Sequence, residues 1–192
     1  MFKKQTAFGL LALLAAYACT DGTAAASSYG PHDAHFAHSP SPAIAEAKAD
    51  LIDSNGKAVG TATLKEQSDG VHIVLKASGL TPGSHGFHFH AVGKCEPPGF
   101  ESAGAHFNPS GKEHGFENPK GFHFGDLPNV IADASGNIDA KIISKNVTLV
   151  KNAPGSLLSS EGSALIIHEK TDDYKTDPSG NSGNRIACGV IK

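Results

Sequence analysis

Short runs in which apolar side chains recur at every second position are the feature that most limits what this chain can fold into. Residues 71–76, 138–142 and 186–190 show this alternation clearly. A period of two places successive side chains on opposite faces of a strand, so that one face can be buried. Further strand candidates are residues 44–53, 58–65, 86–91, 129–133 and 163–168.

Turn sequences separate these runs and set the fold class. Residue types that favour tight turns (Gly, Asn, Asp, Ser and Pro) concentrate at residues 54–56, 68–70, 81–83 and 135–137. The pattern therefore gives about eight strands with little sign of helix. We expect an all-β fold, an eight-stranded antiparallel sandwich or barrel.

The N-terminal segment lies outside this strand pattern. Residues 1–18 combine two lysines near the start with an apolar stretch that is too short to span a bilayer, as in a signal peptide. Residues 19–42 are rich in Ala, Ser, Pro, Gly and His without a hydrophobic period, which indicates a flexible spacer. Residues 43–192 remain as one domain, long enough for a sizeable core.

The end of the signal segment allows two processing routes. Ala16-Tyr17-Ala18-Cys19 is typical of a lipoprotein cleavage site, after which Cys19 would carry the lipid. Ordinary cleavage within residues 23–27 is the alternative, because small residues also suit that reaction. Both routes place the domain outside the cytoplasm, either lipid-anchored to the cell membrane or periplasmic or secreted. Any membrane contact would come only through Cys19.

The cysteine count agrees with export. The chain has three cysteines, and Cys95 and Cys188 remain once Cys19 is set aside as lipidated or removed. Because an extracytoplasmic compartment is oxidising, such a pair most simply forms a disulfide, with two unrelated free thiols as the alternative. The net charge of −3 implies no broad basic surface for nucleic acid.

Histidines carry the strongest functional signal. His88 and His90 lie two positions apart in a predicted strand, so both imidazoles point to the same face. His168 ends another predicted strand, and two long loops, residues 93–127 and 169–184, follow these strands. The first loop contains further candidate ligands, namely His106, His114, His123 and Asp126.

The residue types at these positions favour a metal site over isolated structural histidines. One His-x-His pair alone would be weak evidence, but three imidazoles and one carboxylate in a single loop make a set suited to zinc. Histidine is also the commonest metal ligand in proteins. The residues do not determine which metals bind, since imidazole suits zinc, copper, iron and nickel alike.

Several segments taken together resemble the copper–zinc superoxide dismutase family, in its bacterial exported branch, with a lipoprotein as one of the two forms that the processing routes at Cys19 allow. These segments are residues 86–90, 105–109, 114–115, 123–127 and 185–189. The resemblance covers residues 43–192 and implies a Greek-key arrangement of the strands. It also implies an enzyme that converts two superoxide radicals and two protons to dioxygen and hydrogen peroxide, by alternating reduction and oxidation of copper.

The resemblance implies a role for each candidate residue. Copper would be held by His88, His90, His106 and His168, and zinc by His106, His114, His123 and Asp126. Asp172 would link His88 to His114, and the family disulfide would join Cys95 to Cys188. His106, shared by both metals, would carry a proton, and Arg185 would sit beside the copper and attract the superoxide anion.

Several points stay open at this stage. Residues 169–184 are shorter than the charged guiding loop of many relatives, which leaves the source of electrostatic steering undetermined; Lys112, Lys120 and Lys175 are candidates.

A histidine patch in the spacer is either a metal-capture arm or a solvated linker: His32, His35 and His38. A copper-handling protein and a zinc-only domain are the competing functions, and a homodimer is one assembly that the family allows.

Overall fold

The computed structural model describes residues 45–192, and this part of the chain consists of short strands joined by loops. The nine strands are β1 (Glu46–Asp53), β2 (Ala58–Gln67), β3 (Gly70–Ala77), β4 (Gly83–His85), β5 (Phe87–His90), β6 (Val130–Ala132), β7 (Ile138–Ser144), β8 (Ala164–His168) and β9 (Arg185–Val190). The described helical structure is one 3-10 turn, Glu101–Ala103. No helix among residues 45–192 is long and apolar enough to cross a membrane.

Antiparallel pairing connects the strands into a curled sheet. Seven strands follow the order β5-β8-β9-β1-β2-β3-β7, and β4 pairs with β6 in a separate two-stranded sheet. Strand β3 shows why the pattern folds this way: Val71, Ile73 and Leu75 are buried on one face, while the residues between them are only partly buried. The predicted all-β antiparallel fold is confirmed.

One strand was missed by the sequence pattern. The Thr81-Pro82-Gly83 sequence predicts a turn, yet Gly83 begins strand β4, where Gly83 pairs with Ala132 and His85 with Val130. The chain bends at Pro82, and the next residue already pairs with β6. Nine strands result where eight were predicted.

The buried apolar residues form a main core and a smaller cluster beside the disulfide. Phe87 and Phe89 of β5 are fully buried in the main core, as their alternation with His88 and His90 predicts. A smaller apolar cluster consists of Phe100, Ala103, Ala164, Ile166 and Cys188.

Two long loops leave opposite ends of the antiparallel β5–β8 pair and contact each other. We call residues 91–129, between β5 and β6, the first loop, and residues 169–184, between β8 and β9, the second loop. The Glu117 N–H donates to the Tyr174 carbonyl at 2.9 Å, and the His114 N–H donates to the Asp177 carboxylate at 2.7 Å. The predicted signal peptide, the spacer and their residues Cys19, His32, His35 and His38 lie outside the described residues.

Candidate metal centre

Two paired strands and the first loop bring four buried histidines together. His88 and His90 project from β5, and β5 pairs antiparallel with β8, whose last residue is His168. The first loop adds His106, which forms a β-bridge with His90. One ring nitrogen of each histidine lies within 4.8 Å of the others. The structure therefore joins the four residues that the resemblance assigns to copper.

Hydrogen bonds to the outer ring nitrogens fix the orientation of three of these imidazoles. The Nδ1–H of His90 donates to the Gly104 carbonyl at 2.9 Å, and the Nδ1–H of His168 donates to the Gly183 carbonyl at 3.2 Å. A carbonyl can only accept, so each proton must sit on Nδ1 and leave a lone pair on Nε2. For His88 the roles are reversed, because its Nε2–H donates to a carboxylate.

The inward ring nitrogens have no partner, which is the observation that tests whether a metal fits. His88 Nδ1 and the Nε2 atoms of His90, His106 and His168 are buried without a hydrogen bond among the described residues. Buried polar atoms are nearly always satisfied, so four unpartnered nitrogens facing one another need an explanation. A soft or borderline cation accepts four imidazole lone pairs, and copper fits this donor set.

Burial also keeps these lone pairs free of protons. Desolvation lowers the pKa of His88 to about 3 and the pKa of His168 to about 4. It lowers the pKa of His90 well below the ordinary range for histidine. The three imidazoles are therefore neutral at neutral pH, which is the form that coordinates a metal.

A second cluster adjoins the first and shares His106 with it. Asp126 Oδ1 lies 3.0 Å from His106 Nδ1, 2.9 Å from His114 Nδ1 and 3.3 Å from His123 Nδ1. His106 Nδ1 and His123 Nδ1 are themselves 3.3 Å apart. Three imidazoles and a carboxylate around one point match the tetrahedral ligand set of zinc.

The remaining atoms of this second cluster are held by backbone and carboxylate groups. Asp126 Oδ2 accepts the N–H groups of Gly115 at 2.9 Å and His123 at 3.0 Å, which orients the carboxylate. Burial opposes ionisation of Asp126, but hydrogen bonds from the histidines hold its pKa far below the usual range. Burial likewise lowers the pKa of His114, and the carboxylates of Asp126 and Asp172 outweigh it and raise the pKa to about 9.

Asp172 connects the two clusters from the second loop. Its Oδ2 accepts from His88 Nε2 at 2.8 Å, and its Oδ1 accepts from His114 Nε2 at 3.0 Å. The Tyr174 N–H donates to Oδ1 at 2.7 Å. Such a partner fixes the tautomer and the ring orientation of a metal-binding histidine.

Gly180 makes room for this connection, and its replacement by alanine gives a sharp test. A Cβ at Gly180 would overlap Asp172 Oδ1 and approach His114 Nε2. We expect Gly180→Ala to displace the Asp172 carboxylate and to weaken zinc retention by about 10- to 100-fold. Competition with a chelator measures this affinity in the metal-loaded protein.

Gly111 provides the matched control for this substitution. Gly111 and Gly180 share a φ of +63°, so alanine costs similar backbone strain at both, but no atom lies within 4 Å of a Cβ at Gly111. Gly111→Ala should retain zinc as the wild type does. Equal zinc loss in both variants would mean that strain, and not displacement of Asp172, causes the effect.

An open cavity of about 520 Å³ leads to the first cluster. Its wall includes His90, His106, His168 and Arg185. The guanidinium of Arg185 donates through Nη1 to the Phe100 carbonyl and through Nη2 to the Gly104 carbonyl, each at 2.7 Å. Burial lowers the pKa of Arg185 from its high ordinary value, and arginine stays charged in proteins.

The disulfide packs against the smaller apolar cluster that contains Phe100, and it agrees with the sequence prediction. Cys95 and Cys188 are bonded across 93 residues of chain. The bond ties the first loop to β9 near the segment that contains Phe100 and Gly104, whose carbonyls hold Arg185. The predicted Cys95–Cys188 disulfide is confirmed.

Three contributors to the site were not found by sequence reasoning. Asn129 makes two hydrogen bonds with the backbone of Asp172: its Oδ1 accepts the Asp172 N–H at 2.9 Å, and its Nδ2 donates to the Asp172 carbonyl at 2.9 Å. Asp177 accepts the His114 N–H and lies 3.9 Å from His123 Nε2. Gly180 has no distinguishing sequence context. A polar Asn directly before a strand and an Asp before Pro178 were the only available signals.

Comparison with known proteins identifies the family. The family model described as copper/zinc superoxide dismutase matches residues 58–191. A protein named Superoxide dismutase [Cu-Zn] 2 from Aquifex aeolicus is 49% identical over 148 residues, which is 77% of this chain and 86% of the relative. The Superoxide dismutase [Cu-Zn] of Caulobacter vibrioides is 46% identical over 72% of this chain and 80% of its own.

Solved structures give the same result. A double mutant of a superoxide dismutase-like protein from Bacillus subtilis matches with a TM-score of 0.73 and 50% identity, covering 74% of this chain and 95% of that one. The Cu/Zn superoxide dismutase from Brucella abortus matches with a TM-score of 0.63 and 30% identity, covering 77% and 100%. The chain therefore belongs to the copper/zinc superoxide dismutase family, and it is an enzyme that dismutates superoxide with copper and zinc as cofactors.

Proposed function

We propose a specific assignment of the two metals within this enzyme. Copper is held by His88, His90, His106 and His168, and zinc by His106, His114, His123 and Asp126. The observation that carries the assignment is the set of four buried imidazole nitrogens without hydrogen-bond partners, which suits copper. The adjoining cluster contains Asp126, the only carboxylate in the two proposed ligand sets, which suits zinc. When bound, copper supplies one-electron redox chemistry and zinc supplies a fixed positive charge.

Arg185 binds the substrate in this proposal. A guanidinium has five N–H donors, and the Phe100 and Gly104 carbonyls use two of them. The remaining donors serve a small anion in the cavity that Arg185 lines with His90 and His168. These two contacts also hold the guanidinium in one place, so that little side-chain entropy is lost when superoxide binds.

When its Nε2 is not a ligand of copper, His106 would hold and deliver a proton at that atom. The Nδ1 side of its ring faces the second cluster, which anchors the imidazole, while Nε2 is buried without a protein partner beside the other three imidazoles of the first cluster. Two superoxide radicals and two protons give one dioxygen and one hydrogen peroxide. A proton on His106 Nε2 is positioned for the peroxide product, and solvent in the open cavity supplies the other.

We further propose that the enzyme works outside the cytoplasm. The support is the signal-like segment of residues 1–18 together with the Cys95–Cys188 disulfide, because disulfides persist in oxidising compartments. Cys19 is the proposed lipid attachment site, and the lipid is the proposed membrane contact. A homodimer is the proposed assembly, and light scattering on the purified domain measures it.

Replacement of Cys19 tests the anchor. We expect the full chain to fractionate with membranes and Cys19→Ser to appear in the soluble extracytoplasmic fraction with its activity unchanged, because residue 19 lies far in sequence from the domain. Ser27→Ala, within the alternative cleavage region, serves as the control. A soluble wild-type protein with a mature N-terminus at residues 23–27 would support ordinary cleavage.

A further inference from the structure

Tyr174, two residues after Asp172 in the second loop, has a backbone conformation that bulky side chains rarely adopt. Its φ is +60°, in the left-handed region where the side chain crowds the neighbouring backbone. Such a conformation persists only where the surrounding contacts hold it, and it is found mainly at functional sites. The contacts of Tyr174 therefore indicate which function the conformation serves.

The main-chain groups of Tyr174 lie between the linking carboxylate and the first loop. The Tyr174 N–H donates at 2.7 Å to Asp172 Oδ1, the oxygen that also accepts from His114 Nε2 at 3.0 Å. The Tyr174 carbonyl accepts the Glu117 N–H at 2.9 Å. Gly115 leaves room for this carbonyl, because a Cβ at Gly115 would overlap it. The backbone of Tyr174 thus contacts both Asp172 and the segment that follows His114.

The side chain of Tyr174 reaches a second support of Asp172. Its phenol oxygen accepts the Asn129 N–H at 2.7 Å. The Asn129 side chain in turn makes two hydrogen bonds, each of 2.9 Å, with the Asp172 backbone. The Tyr174 ring packs against Phe116 with ring centroids 5.6 Å apart, and Phe116 packs against Phe122 at 4.8 Å. These contacts fix the phenol between the two loops.

We infer that Tyr174 is a positioning residue for Asp172, whose carboxylate it holds through its own N–H and whose backbone it holds through Asn129. The inference rests on the proposed function, since a fixed Asp172 matters because it orients His88 and His114 for the two metals. The phenol acts only through Asn129 and Asp172. Its removal should therefore have no further effect once the Asp172 carboxylate is gone.

Zinc affinity in the copper- and zinc-loaded enzyme, measured by competition with a chelator, tests this role. We expect Tyr174→Phe to weaken zinc retention about 10-fold, at the low end of the effects of losing a group that orients a metal ligand. In the Asp172→Ala background the same change should weaken it no further, because the carboxylate on which the phenol acts is absent. A full effect of Tyr174→Phe in that background, or no effect in the wild-type background, would overturn the positioning role.

Thr171→Val is the matched control. Thr171 is the other neighbour of Asp172 in the second loop whose hydroxyl can be deleted, and it donates to the Ser84 carbonyl at 3.2 Å. The variant removes a hydroxyl contact between this loop and the rest of the domain without changing a contact of Asn129. Zinc retention should stay at the wild-type level. An equal loss of zinc in both hydroxyl variants would mean that general loosening of the loop, and not the position of Asp172, causes the effect.

Solvent exchange of the His88 and His114 Nε2–H protons gives a readout that does not depend on which metal occupies which cluster. Both protons are donated to Asp172, and nuclear magnetic resonance of the loaded enzyme with copper reduced follows them. We expect Tyr174→Phe to speed their exchange about threefold or more and the control variant to leave it unchanged. Unchanged exchange in Tyr174→Phe would contradict the inference. If His123→Ala left zinc affinity unchanged, the proposed zinc ligands would be wrong instead, and the exchange rates would still decide the role of Tyr174.

Discussion

Replacing His106 with alanine is expected to lower the rate of superoxide dismutation by at least about a hundredfold. His106 is the one residue that belongs to both metal-binding clusters, with Nδ1 3.0 Å from Asp126 and Nε2 facing the other three buried imidazoles. Its loss removes a proposed ligand from each metal and the proposed proton donor from the cavity. Pulse radiolysis on protein reconstituted with copper and zinc measures the rate directly.

His72→Ala is the matched control for this prediction. His72 lies on β3, away from both clusters, and its ring contacts only the surface carboxylate of Asp69 at 2.7 Å. The same substitution there should leave the rate and the metal content unchanged. If His106→Ala bound both metals and kept wild-type turnover, the shared-ligand assignment would be wrong; if it lost metal from both clusters, the assignment would be supported independently of the rate.

The agreement between sequence and structure is strongest where the hydrophobic period decides the outcome. Strand β5 illustrates this, because the alternation in Phe87–His90 sends two phenylalanines into the core and two histidines to the opposite face. The spacing of the loop histidines also brings His106, His114 and His123 to one carboxylate. The hydrophobic period and the histidine spacing predict these contacts because both describe side chains that the local backbone places close together.

Contacts made by backbone carbonyls could not be predicted in the same way. Phe100 and Gly104 hold Arg185 through carbonyls, and Gly183 orients His168 through another. Every residue has a carbonyl group, so the sequence carries no mark of which ones turn toward the site. The path of a long loop determines this, and that path depends on contacts between distant segments.

The role of Asp172 could be predicted from the sequence only in part. The resemblance to the family implied that Asp172 links His88 to His114, and the carboxylate lies within 3.0 Å of both rings. What sequence reasoning omitted is the support: Asn129 holds the Asp172 backbone from the first loop, and Gly180 leaves space for its side chain. A linking residue can be recognised from a motif, whereas its packing partners lie elsewhere in the chain and follow no fixed spacing.

The same distinction separates the lysines. Lys112 and Lys120 belong to the same loop and have the same charge, and the sequence offered no basis for choosing between them. In the structure, Lys120 contacts Glu113 on the outer surface, whereas Lys112 lines the cavity. The direction in which a loop turns determines whether a charged side chain lines the cavity or pairs with a neighbouring side chain.

Loss of the Cys95–Cys188 disulfide is expected to have the largest effect on stability. The bond closes a loop with a sequence separation of 93 residues, and the loop-entropy model gives a loss of about 4–5 kcal/mol in the free energy of unfolding when such a link is removed. Denaturant unfolding of the metal-free domain, compared between the oxidised wild type and Cys95→Ala/Cys188→Ala, measures this difference. The reduced wild type is the control, because it breaks the bond and keeps both side chains.

The position of this disulfide predicts a second effect, on catalysis. The first loop holds Arg185 through the Phe100 and Gly104 carbonyls, and Cys95 anchors that loop to Cys188 on β9. Without the bond the loop can move away from the sheet, so the guanidinium loses a fixed position beside the cavity. We therefore expect kcat/KM of the metal-loaded double variant to fall under conditions in which the domain remains folded. An unchanged kcat/KM alongside reduced stability would show that the two carbonyls hold Arg185 without help from the disulfide.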